Sequence, residues 1–270
     1  MIKLIATDLD GTLLNPGGLS VPPENVEALT KAAEMGIKIV VCTGRMYVGG
    51  AKYARLIPGD NPVIAVNGAV IRTSLTREYM RRIPVETDML VEIMKDLRAE
   101  NVSPWYYCGD LCYAEQWGAG LDELVARSGA EVEIDPPIEK HIGKRPEKVL
   151  AFLDPKSVTR LHGELKAKYA GKLYITQSDV NKLEILSLKA TKGAALTEVA
   201  SAYGIKKEEI MVFGDNYNDL ELFEAAGVRI AMGNAQDALK EHADFIAPRN
   251  DEAGVAKMME KLIFEKGWTL

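Results

Sequence analysis

The chain has 270 residues, 47% of them hydrophobic, with 33 basic and 39 acidic residues and a formal net charge of −6. That length allows one large domain or two ordinary ones and buries a sizeable core without disulfides or a structural metal. The charged fraction beside ample Leu, Ile and Val excludes a disordered chain, and the mild acidity gives no general drive toward nucleic acid or an anionic membrane.

In chain order, the first element is a buried strand from Ile2 to Thr7 that ends in acidic and small residues. An apolar face at helical spacing follows (Val26, Leu29, Ala32, Ala33), behind Pro22–Pro23 and stopping at Gly36; Ser20 is its expected N-cap. Residues Ile37 to Cys42 form a second apolar run, followed by Thr43-Gly44-Arg45 and another helical stretch. A third strand, Val63 to Val66, ends at Asn67-Gly68. Short buried strands alternating with helices imply a doubly wound parallel α/β sheet covered on both faces.

From about Pro84 to Leu186 the pattern changes. It gives a helix, short aromatic strands at Trp105–Tyr107 and Leu111–Tyr113, and a helix from Leu121. A strand at Lys148–Leu153 and a helix at Pro155–Tyr169 follow, then strands at Leu173–Thr176 and Lys182–Leu186 joined by a hairpin connection at Asp179–Asn181. This reads as an α+β module with an antiparallel sheet. The α/β pattern then returns with a helix at Ala194–Ala202, a strand at Ile210–Phe213, a helix at Leu220–Ala225, a strand at Val228–Ala231 and a last helix ending near Ile263. The organisation expected is one α/β core, residues 1–83 plus 188–270, interrupted by an inserted domain of residues 84–187.

Ligands of open α/β sheets bind beyond the carboxyl ends of the strands. The first strand ends in Asp8 and Asp10, the second in Thr43-Gly44-Arg45, and the third in Asn67-Gly68. The strand after the insertion ends in Gly214-Asp215-Asn216, with Asn218 and Asp219 close behind. Carboxylates crowded at one edge repel one another unless a cation neutralises them. Oxygen ligands without His or Cys favour Mg²⁺, which commonly shares its site with a phosphate. Thr43 offers a neutral donor with backbone N–H groups behind it, suited to phosphate oxygens, and Lys192 supplies a fixed positive charge. Arg45 and Asn67 serve equally well as site wall or as structural hydrogen bonders. The histidines His141, His162 and His242 lie outside every strand-end cluster and read as surface or inserted-domain structure. The aromatics Trp105, Tyr106, Tyr107 and Tyr113 read as sheet packing rather than substrate stacking.

These residues resemble the haloacid dehalogenase superfamily of phosphatases, and within it the Cof-like subgroup with a large inserted cap. The four motifs stand in order: Asp8-Leu9-Asp10-Gly11-Thr12-Leu13, Cys42-Thr43-Gly44-Arg45, Lys192-Gly193, and Gly214-Asp215-Asn216-Tyr217-Asn218-Asp219. The subgroup segments Asn67-Gly68-Ala69, Met232-Gly233-Asn234-Ala235 and Asp251 to Val255 are present too. The resemblance covers the whole core.

It implies an aspartyl-phosphate mechanism on a small phosphorylated metabolite, with sugar phosphates favoured. Asp8 is the implied nucleophile and Asp10 the acid and base. Mg²⁺ is held by the Asp8 carboxylate, the Asp10 backbone carbonyl and Asp215, with Asp219 in support. Thr43, the Gly44 N–H, Lys192 and Asn218 hold the phosphoryl oxygens. The insertion is expected to act as a lid that sets specificity. Phosphoryl transfer to an acceptor other than water, as in a mutase, and a non-catalytic phospholigand sensor are the alternatives on the same fold. The sequence leaves oligomeric state open.

Three cysteines, Cys42, Cys108 and Cys112, are an odd count without zinc-type spacing and read as reduced structural thiols. No apolar run reaches the ~20 residues a membrane span needs. The N-terminus meets acidic residues too soon for the apolar core of a signal peptide. The expected location is therefore the cytoplasm.

Overall fold

The computed structural model describes residues 1–265. It divides into two compact units, Met1–Arg81 with Thr191–Leu270, and Arg82–Ala190.

Nearly continuous apolar runs make the central strands of the first unit, because strands covered on both faces have no solvent side to alternate toward. The chain enters through β1 (Leu4–Asp8), α1 (Pro23–Glu34), β2 (Lys38–Cys42), α2 (Tyr47–Ala54), β3 (Pro62–Ala65), β4 (Val70–Thr73) and β5 (Tyr79–Arg82). All five residues of β1 are buried. The chain between β5 and residue 190 carries α3 (Thr87–Ala99), β6 (Trp105–Cys108), β7 (Leu111–Ala114), α4 (Ala119–Ser128), β8 (Glu131–Ile134), β9 (Lys148–Phe152), α5 (Pro155–Lys168), β10 (Leu173–Asp179) and β11 (Lys182–Ser187). The first unit resumes with α6 (Lys192–Ala202), β12 (Ile210–Gly214), α7 (Leu220–Glu224), β13 (Val228–Ala231), α8 (Asp237–Lys240), β14 (Phe245–Ile246) and α9 (Gly254–Met259).

The sheet of the first unit has the order β14-β13-β12-β1-β2-β3-β4-β5. Strands β14 through β3 run parallel, and β4 turns back antiparallel on β3. The parallel pairing of β1 with β12 sets Thr7 beside Phe213, and that with β2 sets Asp8 beside Cys42. Three motif-bearing ends therefore emerge at one edge. The β4–β5 hairpin and the two-residue β14 carry no apolar run long enough to be read from the sequence.

Helix α1 begins at Pro23, one position after its cap residue Pro22. The Ser20 expectation is thus corrected. Proline fits the first helical turn, where an N–H would be orphaned in any case. Ser20 instead closes a local loop, its Oγ accepting from Asn15 Nδ2 at 3.1 Å.

The second unit holds a six-stranded sheet, β10-β11-β9-β6-β7-β8. Most of its pairs are antiparallel, but β8 lies parallel to β7. The helix α4 supplies the crossover that parallel neighbours require, so the expectation of an antiparallel sheet fails at that edge. Val149, Ala151, Leu183, Ile185 and Tyr106 pack with Leu90, Ile93 and Leu97 of α3 and with Val158, Leu161 and Leu165 of α5. The three cysteines are free, and among the described residues no helix is long and apolar enough to cross a membrane.

Candidate active site

Asp8 is the last residue of β1 and is 5% exposed. Lys192, the first residue of α6, reaches it with Nζ 2.6 Å from Asp8 Oδ1. The same ammonium donates to Asp219 Oδ1, also at 2.6 Å. The other oxygen of Asp219 accepts from the backbone N–H groups of Asp215 and Asn216, at 3.0 and 3.1 Å. Asp219 is thus fully engaged in shaping the β12 turn. Asp215 follows β12 directly, and its Oδ1 accepts from Thr12 Oγ1 at 2.8 Å.

Glycines permit this crowding. Gly11 takes φ +78°, and a Cβ there would stand 2.3 Å from Asp215 Oδ2. Gly193 lets α6 pass α7, since its Cβ would lie 2.1 Å from the Glu221 carbonyl oxygen.

Carboxylate oxygens of Asp8, Asp215 and Asp219 lie within 4.8 Å of one another. Three carboxylates face one ammonium there. Burial, reinforced by Asp219, pushes the Asp215 carboxyl up to about 7. Burial raises Asp8 as well, with Lys192 opposing and Asp219 and Asp215 adding to it. Burial also works against the Lys192 charge, but Asp219 and Asp8 outweigh it and hold the ammonium well above the usual lysine range. An all-oxygen donor set with surplus negative charge fits a small hard divalent cation, which would return these carboxyls to their ionised forms.

Asp10 lies on the turn after β1, and its carboxylate is gripped by Arg45. The Nε of Arg45 donates to Asp10 Oδ2 at 2.7 Å and its second nitrogen to Oδ1. That same nitrogen also donates to the Gly18 carbonyl at 2.8 Å. Arg45, left open between two roles in the sequence, is therefore the direct partner of Asp10.

Thr43 is buried at the end of β2, and its Oγ1 accepts from the Arg45 N–H at 3.1 Å. Gly44 is tight against Asn67, whose Oδ1 would meet an added Cβ at 2.8 Å. Asn67 takes φ +51°, and its Oδ1 accepts from Asn218 Nδ2 at 3.2 Å. Asn67 thus joins the β2, β3 and β12 ends.

Two supports escaped sequence reasoning as site residues. Thr12 fixes Asp215. Asn234 donates to the Gly11 carbonyl at 2.7 Å and accepts from the Asn250 N–H at 3.0 Å. Both lie in the segments that carried the family resemblance, so the signal was present but without a role.

The family model of the haloacid dehalogenase-like hydrolases matches residues 5–259. A 5-amino-6-(5-phospho-D-ribitylamino)uracil phosphatase of Bacillus subtilis is 35% identical, over 97% of this chain and 98% of its own. A pyridoxal phosphate phosphatase of Escherichia coli is 27% identical, over 95% and 97%. The crystal structure of a haloacid dehalogenase-like hydrolase from Bacteroides thetaiotaomicron superposes with a TM-score of 0.89 at 27% identity, covering 97% of this chain and all of that one.

Proposed function

The chain belongs to the haloacid dehalogenase-like hydrolases and is a phosphatase of that family, and from that premise we propose that it is a Mg²⁺-dependent phosphomonoesterase working through a phosphorylated Asp8. The observation that carries this reading is the buried Asp8 carboxylate, held by Lys192 within a cluster that includes Asp215 and Asp219. Asp8 and Asp215 side chains and the Asp10 backbone carbonyl would hold the ion. When bound, it offsets the repulsion between an anionic nucleophile and an anionic phosphoryl group.

An Asp8 oxygen attacks phosphorus, the bond from phosphorus to the ester oxygen breaks, and protonated Asp10 gives its proton to the departing oxygen. Asp10, now a carboxylate, takes a proton from water as that water attacks phosphorus. The bond from phosphorus to Asp8 then breaks, releasing phosphate and restoring the Asp8 carboxylate. For the acid step, the Asp10 carboxyl has to leave the Arg45 fork that holds it. Thr43, the Gly44 N–H, Lys192 and Asn218 bind the phosphoryl oxygens.

The substrate is a small phosphorylated metabolite of the sugar-phosphate class. A ribityl phosphate chain, named in the relative from Bacillus subtilis, is a sugar-alcohol member of that class. Selection among substrates falls to the unit Arg82–Ala190. Hydrolysis is preferred over transfer to a second acceptor because the relatives are named as phosphatases.

The test is phosphate release from a panel of sugar phosphates, the phosphoribitylamino-uracil and pyridoxal phosphate, with and without Mg²⁺. Native protein should release phosphate only with the metal, and Asp8→Asn should lose at least about 10⁴-fold in rate. Full activity in that variant contradicts the mechanism. Release that requires an activating bisphosphate and an acceptor points to the mutase instead.

A further inference from the structure

A second set of ligating groups lies in the unit Arg82–Ala190. Strand β8 runs Glu131 to Ile134, and Asp135 continues it. Glu133 and Asp135 are two positions apart and so fall on one side of the extended chain. After Pro136 and Pro137 a short helical turn, Ile138–Lys144, folds back. Ile138 anchors that turn in the hydrophobic core of this unit, and three residues later comes His141.

His141 is only 5% exposed. Its ring stacks on Tyr113 of β7, centroids 4.0 Å apart and planes 24° apart, which fixes the direction of its nitrogens. Nε2 stands 2.9 Å from Asp135 Oδ2, an ion-pair distance, though the two are not aligned as a hydrogen bond. Ligand atoms of Glu133, Asp135 and His141 all lie within 4.8 Å of one another.

We propose that Glu133, Asp135 and His141 form a binding site for a divalent transition cation of the Zn²⁺ type, separate from the carboxylate cluster at Asp8. One imidazole and two carboxylates suit Zn²⁺ better than Mg²⁺, because imidazole nitrogen is a softer donor than oxygen. In a tetrahedral site with bonds of about 2.0–2.2 Å, ligand atoms stand roughly 3.3–3.6 Å apart. The His141–Asp135 pair would open slightly and the exposed Glu133 side chain, now beside Lys144, would move in. Lys140 pairs with the other oxygen of Asp135 and with the Pro136 carbonyl, so Oδ2 is the oxygen turned to the ion. The ion ties β8, at the edge of its sheet, to the helical turn that follows, and so stabilises the folded state by mass action.

The experiment uses the full chain, stripped of metal and then saturated with Mg²⁺ so that the Asp8 cluster is occupied. Zn²⁺ is titrated by calorimetry, and the Tm is followed in parallel. The expected result is one Zn²⁺ equivalent and a rise in Tm, with His141→Asn and Glu133→Gln each weakening binding at least tenfold and abolishing the rise. Glu133 is exposed, so its variant tests the site even where a change at buried His141 disturbs folding. Phosphate release with Mg²⁺ alone should be unchanged in Glu133→Gln. Absence of a Zn²⁺ equivalent overturns the proposal. So does an equivalent that both variants bind as tightly as the native chain, which would place the ion elsewhere.

Discussion

Among the described residues each unit contains one almost completely buried lysine, and the two are held in opposite ways. Lys192 and Lys148 are both 2% exposed. Lys192 sits between two carboxylates at 2.6 Å, and together they hold its charge above the usual range despite burial. Lys148, on β9, faces Glu184 on β11 at 3.0 Å; there burial dominates and pushes the ammonium down, with Glu184 only partly opposing it. Burial alone therefore does not mark a functional charge. What differs is the surplus of carboxylate around Lys192. That arrangement suits a place where more positive charge, from a cation, and more negative charge, from a phosphoryl group, are to be accommodated together.

The comparison breaks most visibly at Lys192. Lys192→Met leaves Asp8 and Asp219 buried against each other, and it should lower kcat by about 10³-fold or more. Without Mg²⁺ it should also cost about 3–5 kcal/mol in stability by denaturant unfolding. Lys148→Met should cost a similar amount in stability, because Glu184 loses its buried ammonium. The double change Lys148→Met with Glu184→Leu should recover most of it, as apolar replacement of a whole buried pair commonly does. No such recovery is expected when Lys192→Met is combined with Asp219→Leu, since Asp219 also holds the backbone N–H groups of Asp215 and Asn216.

A smaller effect concerns pH. The folded Asp215 carboxyl titrates near 7, against 3.8 ordinarily. Between those values the native state binds more protons than the unfolded one, so metal-free stability should fall as pH rises from about 4 to 7. Unfolding of the native chain and Asp215→Asn across that range checks it. The variant should show a shallower decline, and Mg²⁺ should flatten the native curve near neutrality.

The candidate site was legible because parallel α/β strands announce themselves as apolar runs and their ends carry short motifs. Asp8, Thr43, Lys192, Asp215, Asn218 and Asp219 stood in those motifs; the sheet register brings the β1, β2 and β12 ends together, and Lys192 reaches Asp8 from the start of α6. The grip of Arg45 on Asp10 was not legible, because it depends on how the turn after β1 folds. The His141 cluster was equally hidden. His141 comes six residues after Asp135 across two prolines, a spacing that matches no helical or strand period, and only the folded turn brings its ring back to β8. Strands β4, β5, β8 and β14 escaped for another reason: four residues or fewer, partly polar, are too short for periodicity to register.

In the proposed mechanism Asp8 carries the phosphoryl group. Rapid acid quench of the native chain during turnover of a ³²P-labelled sugar phosphate, followed by peptide mapping, tests it directly. The label should appear on the peptide containing Asp8, be released by hydroxylamine, and be absent from Asp8→Asn. Label on another residue, or phosphate release equally fast in Asp8→Asn, would contradict it.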